Sequence, residues 1–419
     1  QYVVGHFVFW IGLLFVYPHS TTVQALFFWN RWCRRILGLG YVGFLLTWIP
    51  LLRRRLLAPF RESLLADAEL ATFNPNAYFA NSTVTTATGD QVPLVDALAA
   101  NKGRILLQGD SGLGKTMFLR YHARTSKRVT VFLPAERCAH GVIKAIQSKL
   151  LGAARDEDFL RAIIYAGALE VLIDGINEVS PDTRAEIAKF MEELFKGTFI
   201  VTSQRMKWSA SRGASVLEIN PLGRDEVLTF LLGRYTSLAA PALSCEAYGR
   251  ACNAFVQRVH AGPIDDPSLR AIISNPMDLS FVAQLLGMGG QPEMFRLQDQ
   301  QYELMAAEYA RLYPGHAFPL QRFCEAMYAL RIEDLPIPDH TEFENELDVM
   351  ARFKLIVARY SSVNHKREWC FRHEKIRDYF LAQAFLGSAN SRPLEHLDDP
   401  RFRGVYALLA IILPEDDAA

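Results

Sequence analysis

An apolar run, Ile105, Leu106 and Leu107, opens directly into Gly109-Asp110-Ser111-Gly112-Leu113-Gly114-Lys115-Thr116, and a helix-forming stretch follows over residues 115–125. No other feature restricts the fold of this 419-residue chain so tightly. Three glycines let backbone N–H groups turn inward around an anion, and the helix N-terminus that follows adds a favourable dipole. A strand before and a helix after make this spacing a phosphate-binding loop. Lys115 is positioned to reach β- and γ-phosphates, the Thr116 hydroxyl to ligate Mg²⁺, and Met117 continues the contact along the helix. No guanine-reading Asn-Lys-x-Asp pattern occurs, so ATP/ADP with Mg²⁺ is the expected ligand set.

The pattern after the loop supports a nucleotide-binding sheet. Short apolar stretches at 104–108, 129–133, 169–173, 198–202 and 215–219 alternate with helical ones at 115–125, 141–151, 156–165 and 181–195. Alternation of this kind predicts an α/β fold with a five-stranded parallel sheet covered on both faces. The third strand ends on Asp174, which would hold Mg²⁺, and Glu178 lies four residues on, where it could orient and deprotonate an attacking water. The fourth ends in Thr202-Ser203-Gln204-Arg205. If that strand neighbours the loop-bearing one, Arg205 faces the γ-phosphate.

Past Asn220-Pro221 the strands give way to helices, at 224–235, 246–260, 267–273, 277–286, 303–312, 320–330 and 342–353. Two β-like stretches (355–360 and 368–371) and a helix over 374–385 then suggest a winged-helix unit. The expected organisation is 1–61 apolar and basic helices, 62–90 linker, and 91–222 nucleotide-binding core. A helical lid (223–297), a winged helix (298–390) and the start of a truncated helical region (391–419) follow.

Charge is unevenly spread. Residues 1–61 hold seven arginines and no acid, which leaves 38 basic against 45 acidic residues in 62–419. Residues 3–17 and 36–52 are apolar runs, the second stopped by Arg53-Arg54-Arg55, and Phe27, Phe28, Trp29 and Trp32 lie between them. Arginine stops and interfacial aromatics point to membrane contact through 1–61, with the nucleotide-binding body in the cytoplasm. The expected location is therefore the inner or plasma membrane. A basic stripe of the kind that tracks nucleic acid is not evident. The six cysteines are scattered without close C-x-x-C pairs, as in a reducing compartment. The chain opens on Gln1 inside an apolar run, which reads as part of something longer.

Taken together, these motifs resemble the NACHT family of the signal-transducing P-loop ATPases termed STAND. The likeness rests on 109–116, Asp174-Gly175-Ile176-Asn177-Glu178, Thr202-Ser203-Gln204-Arg205, Asn275-Pro276-Met277-Asp278-Leu279 and the segment 371–382 around His373. It implies a sheet of the additional-strand (ASCE) type, with Pro276 near the adenine and His373 on the β-phosphate of ADP. It also implies a slow ATPase switch, closed with ADP and open and self-associating with ATP, serving signalling or defence. Asn177 departs from the family's acid pair, which bears on hydrolysis. The competing reading is a membrane-anchored remodelling ATPase, AAA-like or KAP-like, with sustained turnover; in KAP-type proteins membrane segments would fall between the Walker motifs, and here they precede Gly109.

Overall fold

The computed structural model describes all residues except 72, 76–77, 102, 194–195, 205–212, 239–240, 262–266, 340, 354, 361–366, 372, 387–390 and 414–419. The chain divides into two compact units, Gln1–Glu226 and Val227–Ala419.

In the first unit, strands β1 (Thr83–Thr85), β2 (Gln91–Pro93), β3 (Arg104–Gln108), β4 (Thr130–Pro134), β5 (Glu170–Asp174), β6 (Phe199–Ser203) and β7 (Ser215–Ile219) form one sheet, in the order β2-β1-β7-β3-β6-β5-β4. The five strands from β7 to β4 are parallel, and each lies within one residue of its expected position. The sheet is nonetheless seven-stranded, because β1 and β2 add an antiparallel pair at the β7 edge. Part of this pair falls within 62–90, expected as a linker. Leu64, Leu65, Ala68, Phe73 and Tyr78 from that stretch are buried as well. Its Asn- and Thr-rich composition reads as loop, yet the apolar residues spaced between the polar ones are enough to fix it to the sheet edge and face.

Alternation along the strands sends side chains to two apolar layers. Ile105, Leu107, Phe132, Leu172 and Ile200 pack with Phe118 and Leu119 of the helix Lys115–Thr125. On the opposite face, Leu106, Val131, Leu133, Val171, Ile173 and Val201 share a core with Leu160, Ile163 and Ile164 of the helix Glu157–Tyr165. That second core runs without a break into Trp10, Tyr17, Phe28 and Trp29. The N-terminal head is thus built onto the sheet domain.

The head differs from expectation in a second respect. The run 36–52 is no single span but parts of three short helices, Arg31–Ile36, Tyr41–Trp48 and Pro50–Leu57. Leu39 and Gly40 take positive φ (49° and 77°). A Cβ at Gly38 would stand 2.4 Å from the Arg34 carbonyl oxygen, so the turn admits glycine alone there. Further along, Pro50 forces Ile49 into extended backbone and begins a new helix. Each eight-residue piece is about 12 Å long, against a hydrocarbon core of about 30 Å. Among the described residues, one helix is long and apolar enough to cross a membrane, Tyr2–His19, at a mean hydropathy of 1.4.

Two arginines of the head grip the helix Glu157–Tyr165 at its two ends. Arg34 pairs with the capping residue Asp156 at 2.5 Å and lies over the Phe159 ring, while Arg53 donates to the Ala166 carbonyl past the C-terminus. Trp29, fully buried, packs edge-on against Phe159.

The second unit is mainly helical. Its small antiparallel sheet, β8 (Ile337–Pro338), β10 (Arg367–Phe371) and β9 (Ile356–Tyr360) in that order, accompanies the helices Leu320–Ile332, Glu344–Arg352 and Glu374–Phe385. Residues 391–419, expected as the start of a truncated helical region, include the helix Arg403–Ile412. Its Val405 and Leu409, with Phe402, enter the same core as Phe323, Met350 and Phe380.

Candidate functional site

The loop leaves β3 at Gln108 and ends at Gly114, the N-cap of the helix Lys115–Thr125. Gly112 and Gly114 sit at φ of 85° and 90°, in the left-handed region that favours glycine. A Cβ at Gly109 would lie 3.3 Å from both Ile219 and Leu113, so β7 presses closely on the start of the loop. Lys115 Nζ donates to the carbonyls of Gly109 and Asp110, each at 2.8 Å, bringing its charge back over the loop that Asp110, Ser111 and Leu113 complete. Thr116 and Met117 follow in the first turn of the helix.

Strand order sets the rest. Because β6 lies between β3 and β5, Ser203 pairs in register with Gln108, and Thr202 comes beside Asp174. The Thr202 hydroxyl donates to Asp174 Oδ1 at 2.5 Å and accepts from the Gly175 N–H at 2.9 Å. One buried hydroxyl thereby orients the carboxylate expected to hold Mg²⁺. Asn177 Oδ1 accepts from the Gln204 N–H at 3.1 Å, tying the segment beyond β5 to the tip of β6. An amide serves that bond as well as a carboxylate would, which gives the residue at the departed position a structural use.

Glu178 closes the short 3-10 turn Ile176–Glu178, and its side chain lies outside the described structure. Arg205 likewise lies outside the described residues. Strand order therefore brings 109–117 and Asp174 to the same end of the sheet, together with Thr202 and Ser203, quoted above only within a motif, and Asn177, noted above only as a departure from an acid pair. The motif marked Thr202 by position and gave its hydroxyl no partner. Its importance follows from which strand it neighbours.

Ser203 Oγ is wholly buried and has no hydrogen-bond partner among the described residues. An unmet buried hydroxyl costs about 1–3 kcal/mol. Its place opposite the last residue before the loop fits a bound polar group, and the glycine-built cradle, the lysine and the oriented aspartate suit a nucleotide phosphate with its Mg²⁺. Among the described residues no cluster of three or more His, Cys, Asp or Glu side chains forms a metal centre by itself.

In the second unit, Pro276 opens the helix Pro276–Gly287, capped by Asn275 through a bond from the Met277 N–H. His373 caps the helix Glu374–Phe385, its Nδ1 accepting from the Lys375 N–H at 3.2 Å. This places the ring proton of the neutral form on Nε2. Lys375 Nζ also donates to Asp278 at 2.8 Å. Burial pushes the Asp278 carboxyl up, and the Lys375 charge opposes that rise. The proline and histidine segments, 97 residues apart at this pair, are thus bound to one another. Sequence reading assigned both to a nucleotide and missed their direct link.

The sheet is mostly parallel, with helices on both faces. No protein-family model matches the chain, and no curated protein matches it. Among solved structures, it is similar to a chain in a structure of the Drosophila ORC bound to DNA, at 15% identity and a TM-score of 0.29. That match covers 71% of this chain and 91% of the other. It is also similar to a Pyrococcus horikoshii signal transduction ATPase with numerous domains (STAND) that carries a tetratricopeptide repeat sensor, at 14% identity and a TM-score of 0.36. There 77% of this chain is covered, and it spans about half (47%) of the other.

Proposed function

We propose that this chain is a nucleotide-operated switch of the NACHT/STAND type, a slow ATPase that sits at a membrane surface. The observation that carries the reading is the junction of β3, β5 and β6: a glycine cradle with Lys115 folded across it, next to an Asp174 carboxylate oriented by Thr202. Thr116 and Asp174 would hold Mg²⁺, which would supply charge neutralisation at the phosphates. Lys115 exchanges its two loop carbonyls for phosphate oxygens. Glu178 orients the attacking water, and Arg205 answers the γ-phosphate.

The second unit supplies the latch, on the winged-helix reading of its three-stranded sheet and flanking helices. The His373 ring is oriented through Nδ1, and the Asp278–Lys375 pair links the segments that carry Pro276 and His373. Contact of His373 with the β-phosphate of ADP would hold the closed form. Exchange for ATP shifts a two-state equilibrium toward self-association. The head brings this assembly to the membrane through the outward apolar face of Tyr2–Val16, where Val3, Val4, Phe7, Val8, Ile11 and Phe15 are exposed.

The test is oligomeric state by light scattering with ADP and with a non-hydrolysable ATP analogue. Assembly with the analogue alone, abolished by Lys115→Ala, supports the switch. One state under both conditions refutes it. Fast hydrolysis that rises with assembly would instead favour a remodelling ATPase.

A further inference from the structure

A cleft of about 400 Å³ lies where the head meets the N-terminal end of the helix Glu157–Tyr165. Arg31, Arg34 and Arg35 line it with Phe44, Trp48 and Asp158. Arg34 forms the buried floor and is committed to Asp156. Burial lowers its pKa, as do the neighbouring charges of Arg35 and Arg31, with Asp156 acting the other way. The three guanidiniums are therefore close enough to repel. Arg31 and Arg35, one helical turn apart and both exposed, form no ion pair among the described residues. With Arg34 balanced by Asp156, two guanidiniums face the single carboxylate of Asp158, so the cleft is one charge positive and suits a monoanion.

The rim is unlike that of a site for a soluble anion. Phe44 and Trp48 stack with ring centroids 5.3 Å apart, and both are more than half exposed, as are Trp32 and Ile36. Indoles and arginines side by side are the composition of a protein surface lying in the headgroup layer. The volume lies in the range of small-ligand sites.

We propose that this cleft binds the headgroup of an anionic glycerophospholipid. The phosphodiester sits between Arg31 and Arg35, where guanidinium forks match its paired oxygens. A headgroup hydroxyl donates to Asp158, and Phe44 and Trp48 enter the boundary above. The site rests on the membrane contact proposed above and names its ligand. Residues 1–61 contain no acid, and the two carboxylates that line the cleft, Asp156 and Asp158, come from the N-terminal end of the neighbouring helix.

The experiment uses the full chain and vesicles of phosphatidylcholine alone or mixed equally with phosphatidylglycerol, with binding read by flotation. Wild type should bind the mixed vesicles and only weakly the phosphatidylcholine ones. Arg31→Gln/Arg35→Gln should weaken binding to mixed vesicles about 30-fold, from about 1 kcal/mol per arginine near an anionic surface. The decisive variant is Gly43→Leu. A Cβ there meets only Arg34 Nε, at 3.8 Å, so the side chain enters the cleft while every charge is kept. It should lose binding as the double variant does, with thermal unfolding and nucleotide binding unchanged. Thr47→Trp fills the same cleft if Gly43→Leu does not fold. Full affinity in the folded filled variants would overturn the cleft and leave only a diffuse charged surface. Displacement of wild type from vesicles by inorganic phosphate would reassign the site to a soluble anion. Wild type that binds neither vesicle would sink the membrane reading itself.

Discussion

Arg34→Leu tests whether the head is an integral part of the sheet domain. The Arg34 guanidinium contacts Asp156 at 2.5 Å and the Phe28 carbonyl at 2.6 Å, and it lies 3.8 Å above the Phe159 ring centroid. The side chains of Arg34 and Asp156 are 6% and 10% exposed, so solvent screens them little. Removing one partner of such a buried pair costs about 3–5 kcal/mol, because the other charge is left unmatched. In Arg34→Leu/Asp156→Asn no charge remains. Asparagine Oδ1 keeps the cap on the Phe159 N–H, now made at 3.1 Å by Asp156. The double variant should therefore cost only about 1–2 kcal/mol, from the lost cation–π contact and from the Phe28 carbonyl left without its Arg34 donor. Native-state hydrogen exchange across the helix Glu157–Tyr165 reads this locally and does not require the whole chain to unfold in one step. Exchange should accelerate about a hundredfold or more in the single variant and about tenfold in the double one. A double variant as unstable as the single, or a single variant indistinguishable from wild type, would refute the account of the head as clamped by this pair.

Thr202→Val keeps shape and deletes the hydroxyl between Asp174 and Gly175. It should cost about 1–3 kcal/mol in stability and lower ADP affinity with Mg²⁺ present but not with EDTA, as calorimetric titration would show. In the second unit, burial raises the Asp378 carboxyl to about 6, although Arg377 opposes the shift. The folded state then holds its proton more tightly than the unfolded chain. This contribution is full below pH about 4 and is lost as pH rises through about 6. Asp378→Asn should accordingly flatten the fall in melting temperature between pH 4 and 6, and an unchanged profile would contradict the assignment. Lys375→Met strands the Asp278 carboxylate, which is only 2% exposed. The cost should be about 2 kcal/mol, discounted because Lys375 itself is a third exposed, with faster ADP release measured by stopped flow.

The sheet was legible because its signals are local and redundant. Each parallel strand is an apolar run bounded by polar residues, and the glycine loop fixes which strand comes first. What escaped depended on partners distant in sequence. Thr83–Thr85 looks like loop until β7 is available to pair with it. The run 36–52 satisfies a hydropathy criterion, but a steric contact at Gly38 and one proline break it, and composition averages over both. Trp29 and Arg34 carried membrane-like character in sequence, yet the structure buries them against Phe159 and Asp156. In the site, Lys115 and Asp174 stood out by spacing. Thr202 and Asn177 acquire meaning only once β6 is seen to lie between β3 and β5.

The most direct measurement of the central claim is the nucleotide carried by the full chain as purified without added nucleotide, released by acid and quantified by chromatography. The account predicts close to one ADP per chain, absent from Lys115→Ala and reduced in His373→Ala. An empty site in folded wild type, or ADP retained equally in both variants, would contradict it.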